Sequence, residues 1–327
     1  MQNKILVLGG AGYIGTTLIE ELIKKNYEVI CFDSLIYDQD QSLKQFLKNK
    51  NFKFVKGDIR KKSDYISVLD KIDDIVLLAG LVGDPITKTY PKESREINLE
   101  AMKVFISECS NFKNLNKFIF VSTCSNYGLM RSDEMANENS PLKPLSTYSE
   151  HKVEIEKYIM NLKNKISFSP IILRFATAFG LSHRMRFDLT VNHFTKDIFN
   201  KGLLEVYDSD TWRPYCHVKD FARLILIALN SKKHETDFQI FNAGSNKNNF
   251  TKRDIISAIV KILPFENIKY VKGGVDRRNY KVNFDKVNRV LKFKTEYSLN
   301  YAIKEILNFL KQNQDQKNPY GNYKIKL

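Results

Sequence analysis

A chain of 327 residues, 43% of them hydrophobic, is long enough for one large domain or two smaller ones. No stretch approaches the roughly eighteen apolar positions of a membrane-spanning helix, and the start shows no signal-peptide pattern, so a soluble cytoplasmic protein is expected. The net charge of +15 is spread over the whole length, with no basic block longer than Arg60-Lys-Lys62, which argues against a nucleic-acid partner.

The chain opens with an apolar run, Lys4–Leu8, that meets Gly9-Gly-Ala-Gly-Tyr-Ile-Gly15 and then the helical spacing of Leu18, Ile19, Leu22 and Ile23. Gly9, Gly12 and Gly15 stand in a Gly-x-x-Gly-x-x-Gly pattern. Glycine permits the tight turn and lets the backbone approach a pyrophosphate, which the N-terminus of the following helix then holds. Asp33 ends the next apolar run, Glu28–Asp33, about twenty residues downstream, where an acid binds an adenosine ribose. The pattern predicts a dinucleotide site.

Strands are expected at 4–8, 28–32, 52–56, 75–78 and 117–122, with helices near 14–26, 41–49, 61–71 and 93–110 between them. That alternation predicts an α/β fold of the Rossmann type, a doubly wound parallel sheet with helices on both faces. A helix at 147–163 and a strand at 166–175 extend it. After Gly180 the alternation breaks down, and Pro214, Pro264 and Gly273-Gly274 mark turns. Residues 1–180 therefore read as the dinucleotide domain and 181–327 mainly as a smaller substrate-binding lobe. A helix at 221–229 and a strand at 238–243 return to the main sheet, and 312–327 read as an extended tail. The four cysteines, Cys31, Cys109, Cys124 and Cys216, lie far apart without a Cys-x-x-Cys pair, so neither a metal site nor a disulfide framework is expected.

Tyr148-Ser-Glu-His-Lys152 places a phenol and an ammonium one helical turn apart on one face. A nearby lysine favours phenolate and lowers the tyrosine pKa, which makes the tyrosine a general base. The preceding strand ends in Val121-Ser-Thr-Cys-Ser-Asn-Tyr-Gly128, where a hydroxyl can hydrogen-bond a substrate alcohol.

Together these motifs resemble the extended short-chain dehydrogenase/reductases, and more narrowly their nucleotide-sugar epimerases and dehydratases. Gly57-Asp-Ile59, Leu78–Pro85, Leu173–Gly180 and Trp212–Asp220 agree in order along the chain. The resemblance implies that Tyr148 is the base, that Lys152 is its partner and a ligand of the nicotinamide ribose, and that Thr123 is the active-site hydroxyl. It implies NAD as cofactor, held by Gly9, Gly12, Tyr13, Ile14, Gly15, Asp33, Ser34, Asp58, Ile59, Leu78, Ala79 and Gly80, with Asn98 nearby. Asp33 repels a 2′-phosphate, which favours NAD over NADP. Arg213, Asn192 and one of Arg277 and Arg278 are implied contacts of a nucleotide diphosphate, and Thr177 faces the sugar. His217 supports its loop. The resemblance also implies a homodimer through the helices near 93–110 and 147–163, to which Ile97, Ala101, Val104, Phe105, Val153, Ile155 and Ile159 would supply apolar surface.

Departures from the family pattern bear on the reaction. Its dehydratases carry acidic residues in the two positions after the active-site Thr, or a Glu in the second; here these are Cys124 and Ser125. Its 3,5-epimerases use a Cys at the second position, whereas this chain has its Cys at the first. The epimerase-type Asn of Arg-Tyr-Phe-Asn is Thr177. The runs at 80–85 and 184–192 are similar to a subgroup that makes surface-polysaccharide sugars and includes 4-dehydrogenases of GDP-linked heptoses. The leading expectation is oxidation at C4 of a nucleotide-diphosphate sugar, by a 4-epimerase or a 4-dehydrogenase. The alternatives are a 4,6-dehydratase or 3,5-epimerase, and a catalytically idle NAD-binding sensor or scaffold.

Overall fold

A computed structural model describes residues 3–131, 133–200, 202–274, 278–313 and 321–326. The apolar runs of the first half form parallel strands Lys4–Leu8, Glu28–Asp33, Phe52–Lys56, Asp74–Leu77 and Lys117–Thr123, joined by Ser169–Phe175 and Gln239–Ala243 in one seven-stranded sheet. Every pairing in it is parallel. Helices cover both faces, so Lys117–Thr123 and Ser169–Phe175 are buried along their whole length and read as continuous apolar runs. Lys4–Leu8 pairs with Glu28–Asp33 on one side and Asp74–Leu77 on the other. The chain reverses direction across the sheet at that strand, and the crevice at its carboxyl end is where such sheets bind ligands.

Alternate residues of each strand feed two cores. Ile5, Val7, Val76, Ile119 and Ile171 pack against helices Tyr13–Lys24 and Val218–Asn230. Leu6, Leu8, Ile75, Phe118 and Phe120 pack against helices Lys62–Leu69, Met102–Cys109 and Thr147–Met160. The smaller lobe holds helices Thr190–Phe199, Lys252–Ile262 and Leu299–Gln312 around a third core that includes Val191, Ile255, Ile259 and Ile303. Strands Thr177–Phe179, Trp212–His217 and Asn249–Thr251 form a small sheet beside it. Helix Val218–Asn230 and strand Gln239–Ala243 rejoin the main body, as the sequence predicts.

Three expectations need correction. The helix near 41–49 is only a 3-10 turn, Asp40–Leu43, followed by turns. Leu43 and Phe46 are the buried apolar residues there, too few to offset the cost of helix nucleation. The helix near 93–110 is present as an unbroken run of Pro91–Arg95, a π-helical turn Glu96–Ala101, and Met102–Cys109. Of the tail expected at 312–327, residues 314–320 and 327 lie outside the described residues, and 321–326 are not loose: Ile325 is buried in the second core, and the Lys326 N–H donates to the Ile36 carbonyl at 2.8 Å. Finally, Ile97, Ala101, Phe105, Val153, Ile155 and Ile159 are buried within the chain itself, and of that set only Val104 is exposed. Buried in the single chain, those six supply no surplus apolar surface for a second copy.

Candidate active site

The glycine turn requires glycine for reasons of space. Gly9 has φ +79°, and a Cβ there would stand 2.6 Å from the Ala79 backbone nitrogen. A Cβ on Gly15 would stand 2.5 Å from the Gly9 carbonyl oxygen, because the helix packs directly on the turn. Gly12 caps helix Tyr13–Lys24 without any side-chain cap. The first N–H groups of that helix are thus left for a ligand, and no acidic side chain in its first turn competes for them. This cradle fits the pyrophosphate of a dinucleotide.

Gly9, Gly12, Tyr13, Ile14 and Gly15 line one cleft together with Asp33, Ser34, Asp58, Ile59, Leu78, Ala79 and Gly80. Asp33 is buried; its carboxylate accepts from the Ala11 N–H at 3.0 Å, the Leu35 N–H at 2.8 Å and Gln39 Nε2 at 3.2 Å. Burial pushes its pKa up, while these backbone donors and the charge of Arg184 oppose that rise. The carboxylate of Asp58 is gripped by Arg60 at 2.6 Å, which holds its pKa down against partial burial. Asn98 is not on the cleft wall. Its side chain donates to the Leu81 carbonyl and accepts from the Leu81 N–H, both at 2.8 Å, so it pins the cofactor-side loop from behind.

Tyr148, Lys152 and Thr123 meet at the other end of the same cleft. Ser146 caps helix Thr147–Met160 reciprocally with Ser149, which fixes the start of the helix and presents Tyr148 on its first turn. Lys152 lies one turn on, its Nζ 5.9 Å from the centroid of the Tyr148 ring and 2.8 Å from the Val121 carbonyl oxygen, to which it donates. Burial lowers Lys152 to about 7, and Glu156, one further turn along, opposes that fall. The tyrosine does not follow the sequence expectation. Burial pushes its pKa well up, Arg186 and Arg278 pull it down, and Asp84 adds to the rise. A dry site disfavours phenolate and ammonium alike, so the lysine alone does not bring Tyr148 toward neutrality. Thr123 Oγ1 accepts from the Ser125 N–H at 3.1 Å, which leaves its O–H to donate into the cleft. Behind these groups a buried ion pair, Arg174–Glu156 at 2.7 Å, also receives donors from Ser122 and Asn126, tying the strand end to the helix.

Arg213 and Thr177, expected on the substrate side, line the same cleft. The Arg213 guanidinium lies over the Tyr280 ring at 5.2 Å and donates to the carbonyls of Trp212 and Arg278. Arg278 pairs with Asp84 at 3.0 Å and donates to Ser125 Oγ at 3.2 Å. Arg277 lies outside the described residues. Asn192 does not reach the cleft. Fully buried, it accepts from the Gly180 N–H at 3.0 Å and donates to the Arg186 carbonyl at 2.9 Å and the Tyr13 hydroxyl at 3.3 Å, so its polar atoms are engaged in bracing the lobe. His217 pairs with Glu305 at 2.7 Å away from the cleft, in keeping with a supporting role. Cys124 is buried, and its thiol is pushed far up by burial. Among the described residues no group of acidic, histidine or cysteine side chains could hold a metal ion, and no helix is long and apolar enough to cross a membrane.

Asp84, Arg184, Arg186 and Tyr37 also line the cleft, and sequence reasoning gave them no roles. Arg184 stacks over the Tyr37 ring at 5.1 Å, and burial beside Arg186 lowers it to about 10. Arg186 is clasped by Asp188. Asn322 reaches across from the end of the chain to the Val82 carbonyl at 3.2 Å. The Arg-Met-Arg spacing was visible, but nothing local pointed it toward residues 33–37.

Residues 5–244 match the family model described as the NAD dependent epimerase/dehydratase family. An uncharacterised UDP-glucose epimerase of Bacillus subtilis is 30% identical over 236 residues, 69% of this chain and 72% of that protein. A UDP-glucose 4-epimerase of Lactobacillus helveticus is 24% identical over 314 residues, 90% of this chain and 92% of that protein. Among solved structures, the UDP-glucuronic acid 4-epimerase of Bacillus cereus, in complex with UDP-glucuronic acid and NAD, superimposes with a TM-score of 0.86. It is 26% identical and covers 94% of this chain and 99% of its own.

Proposed function

The chain belongs to the NAD-dependent epimerase/dehydratase family, and on that premise we propose that it oxidises C4 of a nucleotide-diphosphate sugar, as a 4-epimerase or 4-dehydrogenase serving surface-polysaccharide synthesis. The observation that carries this reading is the convergence of Tyr148, Lys152 and Thr123 at one end of a cleft whose other end is the glycine turn. When bound, NAD would supply the hydride acceptor and, in its oxidised form, a positive charge.

The side chains then have distinct tasks. Tyr148 takes the proton of the sugar hydroxyl, and Thr123 holds the same oxygen through its free O–H. Lys152, anchored on the Val121 carbonyl, offers a cation to the phenolate and donors to a ribose. Arg213, with a guanidinium geometry suited to phosphate oxygens, holds the diphosphate, so that binding energy remote from C4 orients the sugar. Elimination of water needs an acid near C5 or C6. The two positions after Thr123 are a buried thiol and Ser125, and the carboxylate of Asp84 is committed to Arg278 as an acceptor.

Product analysis on a panel of UDP-, GDP- and dTDP-sugars tests the proposal. The expected product keeps the C6 hydroxyl, as a C4 epimer or a 4-keto sugar. A 4-keto-6-deoxy product, lighter than substrate by one water, contradicts it. The same reading takes the protein as cytoplasmic and, on the family resemblance alone, as a homodimer; a monomer by light scattering at micromolar concentration removes that part alone.

A further inference from the structure

Asp84 has no part in the scheme above, yet it stands in the wall of the same cleft as Tyr148, Thr123 and Ser125. It follows Gly83, whose φ of +113° turns the loop after strand Asp74–Leu77 over the site. One carboxylate oxygen, Oδ2, pairs with Arg278 at 3.0 Å, and about a fifth of the side chain remains open, 21%. The other, Oδ1, is buried without a donor among the described residues. Arg278 meanwhile donates to Ser125, two residues beyond the active-site threonine. The pair thus spans from the Rossmann loop to the smaller lobe at the sugar end of the cleft, near enough for the Asp84 charge to act on Tyr148.

A carboxylate accepts hydrogen bonds and donates none, so the open part of this side chain can meet a ligand in the cleft only as an acceptor. A neutral sugar brings several hydroxyl donors. A uronate replaces the C6 hydroxyl with a second anion, and the charge of Arg278 is already balanced by Asp84. Building on the nucleotide-sugar reading above, we propose that Asp84 is a specificity-determining residue: it accepts a hydrogen bond from a sugar hydroxyl and selects neutral nucleotide-diphosphate sugars against uronates. Discrimination arises because the wrong ligand leaves one charge unpaired and adds repulsion.

The experiment is titration calorimetry on NAD-loaded protein carrying Tyr148→Phe, which blocks turnover, with and without Asp84→Asn. The probes are two matched pairs, UDP-glucose with UDP-glucuronic acid and GDP-mannose with GDP-mannuronic acid. Asparagine keeps the size of the side chain and an acceptor for Arg278 but loses the charge. With Asp84 present, the neutral member of the pair that binds should be at least about tenfold tighter than its uronate. Asp84→Asn should bring the ratio within about twofold, with the uronate gaining affinity. A smaller preference in the Asp84 protein, or a preference that survives Asp84→Asn, overturns the role of Asp84 and leaves the nucleotide-sugar reading standing. Failure of every probe, and of UDP and GDP themselves, to bind overturns both.

Discussion

The two ends of the cleft are built in opposite ways. The cofactor end is mostly backbone: a glycine turn, the open N-terminus of one helix and an acid at the end of the neighbouring strand, all within residues 4–33. The end proposed for the sugar is mostly side chains drawn from distant segments, with Asp84, Thr123, Tyr148, Arg213 and Arg278 each on a different element or loop. Backbone recognition depends on shape and tolerates no added atoms. Side-chain recognition depends on charge and can change one residue at a time. Substitutions at the two ends should therefore fail differently.

The largest effect is expected at the chemistry itself. Tyr148→Phe should reduce turnover about 10³-fold while the protein still retains NAD, since it removes only the ionisable oxygen. Steady-state kinetics together with release of bound nucleotide on denaturation check this. Arg213→Ala should come next, lowering kcat/KM by about 10- to 100-fold, mainly through KM, because charge-assisted hydrogen bonds to phosphate are lost far from C4. Its NAD content should be unchanged. If NAD is lost instead, the division of the cleft into two ends fails.

Gly9→Ala should show the reverse pattern. With φ +79° and the Ala79 nitrogen 2.6 Å from the new Cβ, the turn must shift. We expect loss of NAD retention and a cost of about 1–3 kcal/mol in stability, measured by denaturant unfolding. The last effect concerns pH. Burial lowers Lys152 from its usual 10.5 to about 7, so between those values the folded chain binds fewer protons than the unfolded one. Its contribution to stability therefore rises with pH across that window and is flat below it. Melting curves without nucleotide should show this slope, and Lys152→Met should remove it.

The cofactor end was legible because its meaning is local. Gly9, Gly12, Gly15 and Asp33 are separated by fixed numbers of residues, and strand and helix geometry converts that spacing directly into a site. That Tyr148 and Lys152 share the cleft was legible for the same reason, since they are one helical turn apart. Asn98 and Asn192 were misassigned because both are polar side chains near the site, and sequence does not tell whether such a group faces the ligand or braces the loop behind it. Each is fully engaged by backbone groups. The Asp84–Arg278 pair was invisible because its partners lie almost two hundred residues apart and meet only when the lobe folds over the sheet. The raised Tyr148 pKa was missed because the effect of the lysine was weighed without the desolvation of both groups.

The most direct test of the central claim uses nucleotide sugars deuterated at C4 in a single turnover with NAD-loaded protein. The account predicts that deuterium leaves C4 for the bound cofactor, with the transient absorbance of reduced nicotinamide, slower formation than with the protiated sugar, and no such signal from Tyr148→Phe. Deuterium that stays on C4 in every sugar that binds, or transfer that proceeds at the normal rate in Tyr148→Phe, would contradict it.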